Sequence, residues 1–359
     1  MGRSKINKSR KATPKVKKTD SANSSNKKIA WALYALGFLG LSILLAKVFT
    51  FFNLLIAPIT PSLNSVKTYF WDGKYTINLV FKGQKISILS YSPQERKVTI
   101  LKIPGDALIY VPKGFGEWQV GSIFDLGLTA KPQIGAQLLK LSVEKLLGLP
   151  IDGFVKLDGK LGEIELEDLV QSLRKNPLSL SFSINRIQSD LTGTELVNLV
   201  KSITYVRDDK LLILDLGDSS ITESKLLQDQ TRVLGIDTIA LDLFIRKKIS
   251  DPLISGDDAP VAVFNTTSHP GLANMVARVI TNMGGSVAMI GNTEDSLKET
   301  KVVLNDEDTK NATFVRLTQL LAPLCLKNKC TSNESKVNQS RAKINVLIGE
   351  DFYQKYFLR

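Results

Sequence analysis

The sequence predicts a mixed α/β protein with one transmembrane helix, then an α-β-α sandwich-like domain, then a small C-terminal domain containing a βαβ unit. Three observations lead there. An uncharged apolar run lies at 29–46, short alternating strands begin at residue 75, and a strand, a helix and a strand follow residue 260. The predicted segments are a basic tail (1–28), a transmembrane helix (29–52), a linker (53–74), the sandwich domain (75–250), a second linker (251–260) and the C-terminal domain (261–352).

The positive charge of the chain is concentrated in its first 28 residues. They hold ten Lys and Arg against the single acid Asp20, which accounts for +9 of the net charge of +12. A basic run can bind nucleic acid, but directly before an apolar span it more often sets topology and contacts anionic lipid. The tail therefore predicts a cytoplasmic N-terminus, and we expect no nucleic-acid partner.

The apolar run is long enough to cross a bilayer. A span needs about 20 apolar residues, and 29–52 provides them if Lys47 reaches toward the outer interface. The alternative is a cleaved signal peptide, but the run exceeds the usual 7–15 residue core and no small-x-small cleavage site follows it. The pattern favours an uncleaved anchor in the plasma membrane, with the bulk of the chain outside the cytoplasm.

Strands and helices alternate through the sandwich domain. Residues 75–81, 85–91 and 97–103 have the alternation of half-buried strands. The other predicted elements are a helix at 138–147 stopped by Gly148, a strand at 154–157, a helix at 163–174, a helix at 194–203 capped by Thr192, and a strand at 210–216.

The C-terminal domain begins with a βαβ pattern. Strands are predicted at 261–264 and 286–290, with a helix at 271–283 between them. A helix at 313–322 and a strand at 344–348 follow. The composition of 251–260 (DPLISGDDAP) is typical of a domain boundary.

The last hundred residues resemble the LytR C-terminal domain. VAVFNTTSHPGLANMVARVITNMGGSVAMIGN at 261–292 and INVLIGEDF at 344–352 carry the resemblance. A ligand can be received by backbone amides that precede a helix, so Asn265, Thr266, Thr267 and Gly271 are candidate ligand-binding residues. The alternative is a plain connection capped by Ser268.

The middle of the chain resembles the LytR-CpsA-Psr catalytic domain in degenerate form. The carrying segments are ISILSYSPQERKVTILKIPGDALIYVP at 86–112 and LLKLSVEKLLGLPIDGFVKLDG at 138–159. The resemblance implies a single-pass protein that moves glycopolymer from polyprenyl pyrophosphate onto peptidoglycan, with Mg²⁺ as cofactor. The family has an Arg where this chain has Gly105, and its early Asp-x-Arg segment is FKGQK here.

These departures remove groups that the chemistry needs. Arginine binds pyrophosphate through bidentate donors, and a metal bridges the phosphates during transfer. The weak catalytic candidates that remain are Asp106, Arg207 and Arg232. Each is also an ordinary turn or surface residue. We therefore assign no catalytic residue from the sequence.

Two cysteines, Cys325 and Cys330, are close in sequence. Outside the cytoplasm they could close a small disulfide loop, and otherwise they are two thiols. No metal site is predicted, because His269 is the only histidine.

The leading hypothesis is a membrane-anchored, extracytoplasmic envelope protein without catalysis. Its expected partners are the membrane and a wall polymer, a polyprenyl phosphate lipid or an envelope protein. One alternative is an active glycopolymer phosphotransferase that uses Mg²⁺. Another is a transcriptional attenuator, the role in the family name.

Overall fold

A computed structural model of the chain describes residues 21–60, 69–130, 132–176, 186–218, 220–226, 230, 232–293, 296–305, 311–322 and 340–358. It divides into two compact units, Met1–Asn53 and Leu54–Arg359.

The first unit contains one long helix, α1, at Ser21–Ile56. Its segment Trp31–Phe49 is long and apolar enough to cross a membrane, and none of that segment is buried within the protein. Large side chains such as Trp31 and Phe38 are exposed along it. The helix predicted at 29–52 is thus present as a helix.

The second unit begins with a sandwich of helices and sheet. Its elements are β1 Ile77–Lys82, β2 Ile86–Ser92, β3 Lys97–Ile103, β4 Leu108–Val111, β5 Gly116–Gln119, α2 Ile123–Thr129, α3 Gly135–Leu147, β6 Gly153–Leu157, α4 Leu166–Lys175, β7 Ile187–Ser189, α5 Gly193–Thr204, β8 Leu211–Asp215, β9 Thr222–Leu226, β10 Arg232–Ile236 and α6 Thr238–Lys248.

The rest of the second unit is built around a smaller sheet. Its elements are α7 Pro252–Asp257, β11 Pro260–Asn265, α8 Leu272–Asn282, β12 Ser286–Asn292, β13 Lys301–Leu304, α9 Ala312–Leu321, β14 Ile344–Ile348 and α10 Glu350–Phe357.

The central sheet has the strand order β7-β6-β1-β2-β3-β8 and is covered on both faces. Side chains alternate across a strand, so neighbours such as Leu79 and Val80 point to opposite faces. Val80 belongs to a core that includes residues of α2, α3 and α6. Leu79 belongs to a core with α4 and α5. The predicted α-β-α arrangement is confirmed.

The smaller sheet has the order β12-β11-β14-β13. β11 pairs in parallel with β12 and with β14, while β13 is antiparallel to β14. Because α8 connects β11 to the parallel β12, the predicted βαβ unit is present.

Local sequence signals located most of the elements. β3 and β14 have the bounds that were predicted. Gly148 ends α3 at φ 57°, and Thr192 caps α5 in a reciprocal pair with Glu195. The hairpins β4–β5 and β9–β10 were not predicted, because their strands are short and partly polar.

The two segments predicted as linkers are ordered where they are described. Trp71 is 3% exposed, and its indole donates to the Tyr75 carbonyl at 2.8 Å. The second segment contains α7, whose N-terminus is capped by the buried Asp251. Asp, Pro and Gly are typical of a capped short helix as well as of a linker, so composition alone could not separate the two.

The C-terminal part shares its core with the sandwich. Leu138 and Leu147 of α3 lie in one apolar cluster with Ile280 of α8 and Leu317 of α9. Arg278 of α8 donates to the carbonyls of Lys145 and Leu146, and Asn282 donates to that of Leu147. These bonds satisfy the last carbonyls of α3, which have no partner inside that helix.

A buried ion pair completes the junction. The guanidinium of Arg316 in α9 donates to Asp152 at 2.8 Å, and both side chains are 1% exposed. The other Asp152 oxygen accepts the backbone N–H of Asn78 at 2.9 Å. The Tyr75 hydroxyl also donates to the Ala312 carbonyl at 2.9 Å. α9 is thereby tied to the start of β1 and to the loop before β6.

We expect Arg316→Met to lower the free energy of unfolding of the fragment Leu54–Arg359 by about 3–5 kcal/mol, because it leaves the Asp152 carboxylate buried without its cation. Adding Asp152→Asn should recover part of the loss. Urea unfolding measures both changes. The control is Arg207→Met, whose side chain is 81% exposed, with an expected cost below about 1 kcal/mol. Equal losses for Arg316→Met and the control would contradict the prediction.

Candidate ligand-binding site

The edge of the central sheet where β1 and β3 end carries a group of lysines. These two strands run in the same direction, because each is antiparallel to β2. Lys102 donates to Glu165 at 2.6 Å and lies 2.8 Å from a carboxylate oxygen of Glu167. Lys85, in the turn after β1, lies 3.2 Å from the other oxygen of Glu165. We call these four residues, together with Lys82, the lysine cluster. Lys82 lies 3.9 Å from Asp125.

The ionisation of this cluster is strongly coupled to its hydrogen bonds. Hydrogen bonds to Glu165 and then to Glu167 raise the pKa of Lys102, outweighing the opposite effect of burial. The hydrogen bonds from Lys102 and Lys85 lower the pKa of Glu165. Glu165 therefore stays charged at neutral pH and compensates the two lysines bonded to it. A pyrophosphate would have to compete with Glu165 for the same cations.

A second feature is a cavity of about 330 Å³ between α3, α8, α9 and α10, which we call the junction cavity. Its floor is apolar and buried, formed by Leu141, Ile151, Met283, Leu317 and Phe352. The space between the central sheet and helices α4 and α5 is far smaller, about 30 Å³. Of these two spaces, the junction cavity is the one that has the size of a ligand pocket, about 300 Å³ or more.

The rim of the junction cavity is polar, formed by Gln137, Lys140, Glu144, Asp351 and Lys355. Lys140 donates at 2.7 Å to Asp190, whose side chain is 2% exposed. Lys355 is 43% exposed and lies 3.3 Å from Glu144. The same Glu144 oxygen accepts the hydroxyl of the buried Tyr356. The two rim lysines therefore differ, since Lys140 is held by a buried acid and Lys355 is not.

The deep end of the junction cavity is closed by Tyr69 and Asp152. The guanidinium carbon of Arg316 lies 4.5 Å from the centre of the Tyr69 ring. Burial raises the pKa of Tyr69, with the nearby Arg316 charge acting in the opposite direction. Burial likewise raises the pKa of Tyr75 to about 12. Both phenols are neutral at physiological pH, so the deep end adds no free charge.

Residues 258–352 match the protein-family model described as LytR cell envelope-related transcriptional attenuator. This segment is similar to a LytR C-terminal domain. The resemblance predicted from the motifs at 261–292 and 344–352 is confirmed by that match, which covers about a quarter of the chain. The matched segment contains α8, α9 and the start of α10, which line the junction cavity.

Solved structures are similar to about half of the chain at low identity. One is B. subtilis TagT, at 14% identity and TM-score 0.36, covering 52% of this chain and 96% of that one. B. subtilis TagV has 12% identity and a TM-score of 0.38, and the match covers 47% of this chain and 94% of that one. A LytR-CPS2A-psr family protein, YwtF (TagT), with bound octaprenyl pyrophosphate lipid has 12% identity and a TM-score of 0.35. That match covers 53% of this chain and 95% of the other. The curated proteins contain no match.

In the LytR C-terminal domain, the predicted ligand-binding loop is occupied by its own hydrogen bonds. The Asn265 side chain accepts from the Thr267 N–H and donates to the His269 carbonyl. The Thr266 hydroxyl donates to the Ile348 carbonyl. Gly271 stands at φ 86° before α8, a conformation that favours glycine. Asn265, Thr266, Thr267 and Gly271 thus shape the loop, and their role in ligand binding stays a prediction.

The three weak catalytic candidates do not converge. Asp106 is exposed, and its carbonyl lies 3.5 Å from the N–H of Leu234. Arg232 is two residues before Leu234 in β10 and is also exposed. Arg207 precedes β8 at the opposite end of the sheet, since β8 is parallel to β3 and Asp106 follows β3. Its guanidinium pairs with Asp209 at 2.9 Å.

Cys325 and Cys330 lie outside the described residues. Among the described residues, no group of three or more His, Cys, Asp or Glu side chains could hold a metal ion. His269 stacks on Tyr353 with ring centres 3.4 Å apart, and its Nε2 lies 3.3 Å from Glu350.

Sequence reasoning missed the residues of the junction cavity and the ion pair beside it. Arg316 carried a signal, because it is the one charged residue of the apolar helix ATFVRLTQLL. A charge on an otherwise apolar helix indicates a buried partner. That partner, Asp152, is 164 positions away in the sequence, and no local pattern identifies it.

We expect Glu165→Gln to lower the free energy of unfolding of Leu54–Arg359 by about 1–2 kcal/mol at neutral pH, because Lys102 and Lys85 lose a charged acceptor. The pKa of Glu165 is lowered in the folded protein. Its contribution is therefore present above its usual pKa and is lost as the pH falls through the lowered value.

Urea unfolding from neutral pH to about pH 2 should show the difference from the wild type shrinking toward zero. The matched control is Glu163→Gln, an exposed residue nearby, which should show no such dependence. A difference that persists unchanged in acid would argue against the ion pairs as its cause.

Proposed function

We propose that this chain is a membrane-anchored, extracytoplasmic protein of the bacterial cell envelope that binds a ligand in the junction cavity and does not transfer glycopolymer. The observation that carries the proposal is the lysine cluster. At the sheet edge where the family resemblance implies pyrophosphate chemistry, Lys102 is bonded to two carboxylates within 2.8 Å.

The pairing of the lysines at the sheet edge argues against glycopolymer transfer. Phosphoryl transfer depends on positioned cations that neutralise the developing charge on the phosphates. Here the cations are lysines, each with an acidic partner, and Gly105 stands where the family has arginine. Asp106 and Arg232 are exposed, and Arg207 lies at the other end of the sheet. Mg²⁺ has a single acid, Asp106, left from the family motif.

The envelope location is supported by two independent features. The LytR C-terminal domain is described by its relation to the cell envelope. The apolar helix segment Trp31–Phe49 follows a tail of net charge +9, the order that keeps the N-terminus in the cytoplasm. The ligand is then expected among the components of the envelope, which include lipids, wall polymers and envelope proteins.

Transcriptional attenuation, the other role in the family description, would require access to nucleic acid. The excess positive charge of the chain lies in residues 1–28, ahead of the apolar helix. That tail favours contact with anionic lipid at the inner membrane surface.

The anchor can be tested by labelling intact cells with a membrane-impermeant maleimide. In a background carrying Cys325→Ser and Cys330→Ser, Glu163→Cys should label on intact cells, because residue 163 is exposed in the folded unit. Ser9→Cys, in the tail, should label only after permeabilisation. Labelling of both on intact cells, or of neither, would refute the proposed topology.

The lack of transfer can be tested on the full chain in nanodiscs with a polyprenyl-pyrophosphate-linked glycopolymer and peptidoglycan. We expect no product above background with or without Mg²⁺, because the lysine cluster is neutralised. Mg²⁺-dependent product that disappears in Asp106→Ala, but not in Asp209→Ala, would instead establish the transferase.

A further inference from the structure

We infer that the junction cavity binds a single-chain amphiphile with an anionic head group, with the chain on the apolar floor and the head at Lys355. The inference rests on the proposed function, which places the ligand in this cavity, and it adds the chemical class of that ligand.

The floor of the cavity selects a hydrocarbon. Leu141, Ile151, Met283, Leu317 and Phe352 offer no hydrogen-bonding group, and each is less than a tenth exposed. Each methylene group that leaves water for such a surface adds favourable free energy. A sugar would bury hydroxyl groups there without partners, which is unfavourable. The buried acid that lines the cavity, Asp152, already bonds Arg316 and the Asn78 N–H.

The volume selects one chain. At about 330 Å³ the cavity lies at the small end of the range for ligand pockets. A single hydrocarbon chain of roughly a dozen carbons matches that size better than a two-chain lipid or a full polyprenyl chain does.

The rim selects a negative head. Lys140 is held by the buried Asp190, whereas Lys355 is partly exposed and 3.3 Å from its acid. When Lys355 turns to a ligand, Glu144 keeps the hydrogen bond from Tyr356. The other acid of the rim, Asp351, uses one oxygen to accept from the Thr300 N–H and hydroxyl and from the Phe352 N–H. Lys355 is therefore the rim cation that can exchange its partner at least cost.

The test uses the full chain in nanodiscs and three photoreactive probes that carry a diazirine at the end of a twelve-carbon chain. The probes have a carboxylate, a phosphate or a neutral maltoside head. After irradiation, mass spectrometry locates the crosslinks. We expect both anionic probes to label the floor peptides that contain Met283 and Leu317, and the neutral probe to label them roughly tenfold less at equal concentration. The ratio of carboxylate to phosphate labelling distinguishes a fatty acid from a lipid phosphate as the source.

Two variants fill the cavity. Leu317→Trp blocks the floor, and Leu321→Phe narrows the cavity from a more exposed position in case the first variant fails to fold. Either should abolish floor labelling while leaving the crosslinks to α1 unchanged, which serves as an internal control for probe in the membrane. Lys355→Glu should reduce anionic labelling about tenfold. Lys247→Glu, an exposed lysine of α6 with the same charge change, should not.

Failure of this inference is separable from failure of the proposed function. No floor labelling by any probe, or labelling that survives both filling variants, overturns the cavity as an amphiphile site. Equal labelling by neutral and anionic probes overturns the anionic head group. Neither result bears on the membrane topology or on glycopolymer transfer, which the labelling and turnover experiments decide.

Discussion

The fold of the second unit depends on a pair of buried charges where its C-terminal part packs against the sandwich. Arg316 and Asp152 are both 1% exposed, and each would be strongly destabilising without the other. Asp152 also accepts the Asn78 N–H, and Asp251 accepts the Thr76 N–H nearby. The start of β1, the loop before β6 and the helix α9 must therefore assemble together. Apolar packing of α3 against α8 and α9 then encloses the junction cavity beside this pair.

Charged side chains of the second unit have different kinds of partner at the sheet edge and at the junction. At the end of the central sheet, lysines are neutralised by carboxylates from the N-terminal end of α4. At the junction, the buried Arg316 and Asp152 are paired with each other, and the partly exposed Lys355 lies 3.3 Å from Glu144. Exchange with a ligand is easier for an exposed, loosely held cation than for one bonded to two acids. We therefore expect ligand binding at the junction cavity rather than at the sheet edge.

Much of the secondary structure could be predicted because its signals are local. Gly148 and Thr192 define helix ends through their own backbone and side-chain chemistry. The alternation in β3 and β14 is visible within seven residues or fewer. The hairpins β4–β5 and β9–β10 were missed, since their strands are short and are held by pairing rather than by an apolar pattern.

The sequence by itself determined the charged tail, the apolar helix, the alternation of strands and helices, and the motifs of the LytR C-terminal domain. Each of these depends on neighbouring residues or on a recognisable pattern. Only the tertiary structure decided which charges face one another. Lys102 meets Glu165 across 63 positions and Arg316 meets Asp152 across 164. Such pairings, and the cavity they border, arise when distant elements pack together, and no local periodicity encodes them.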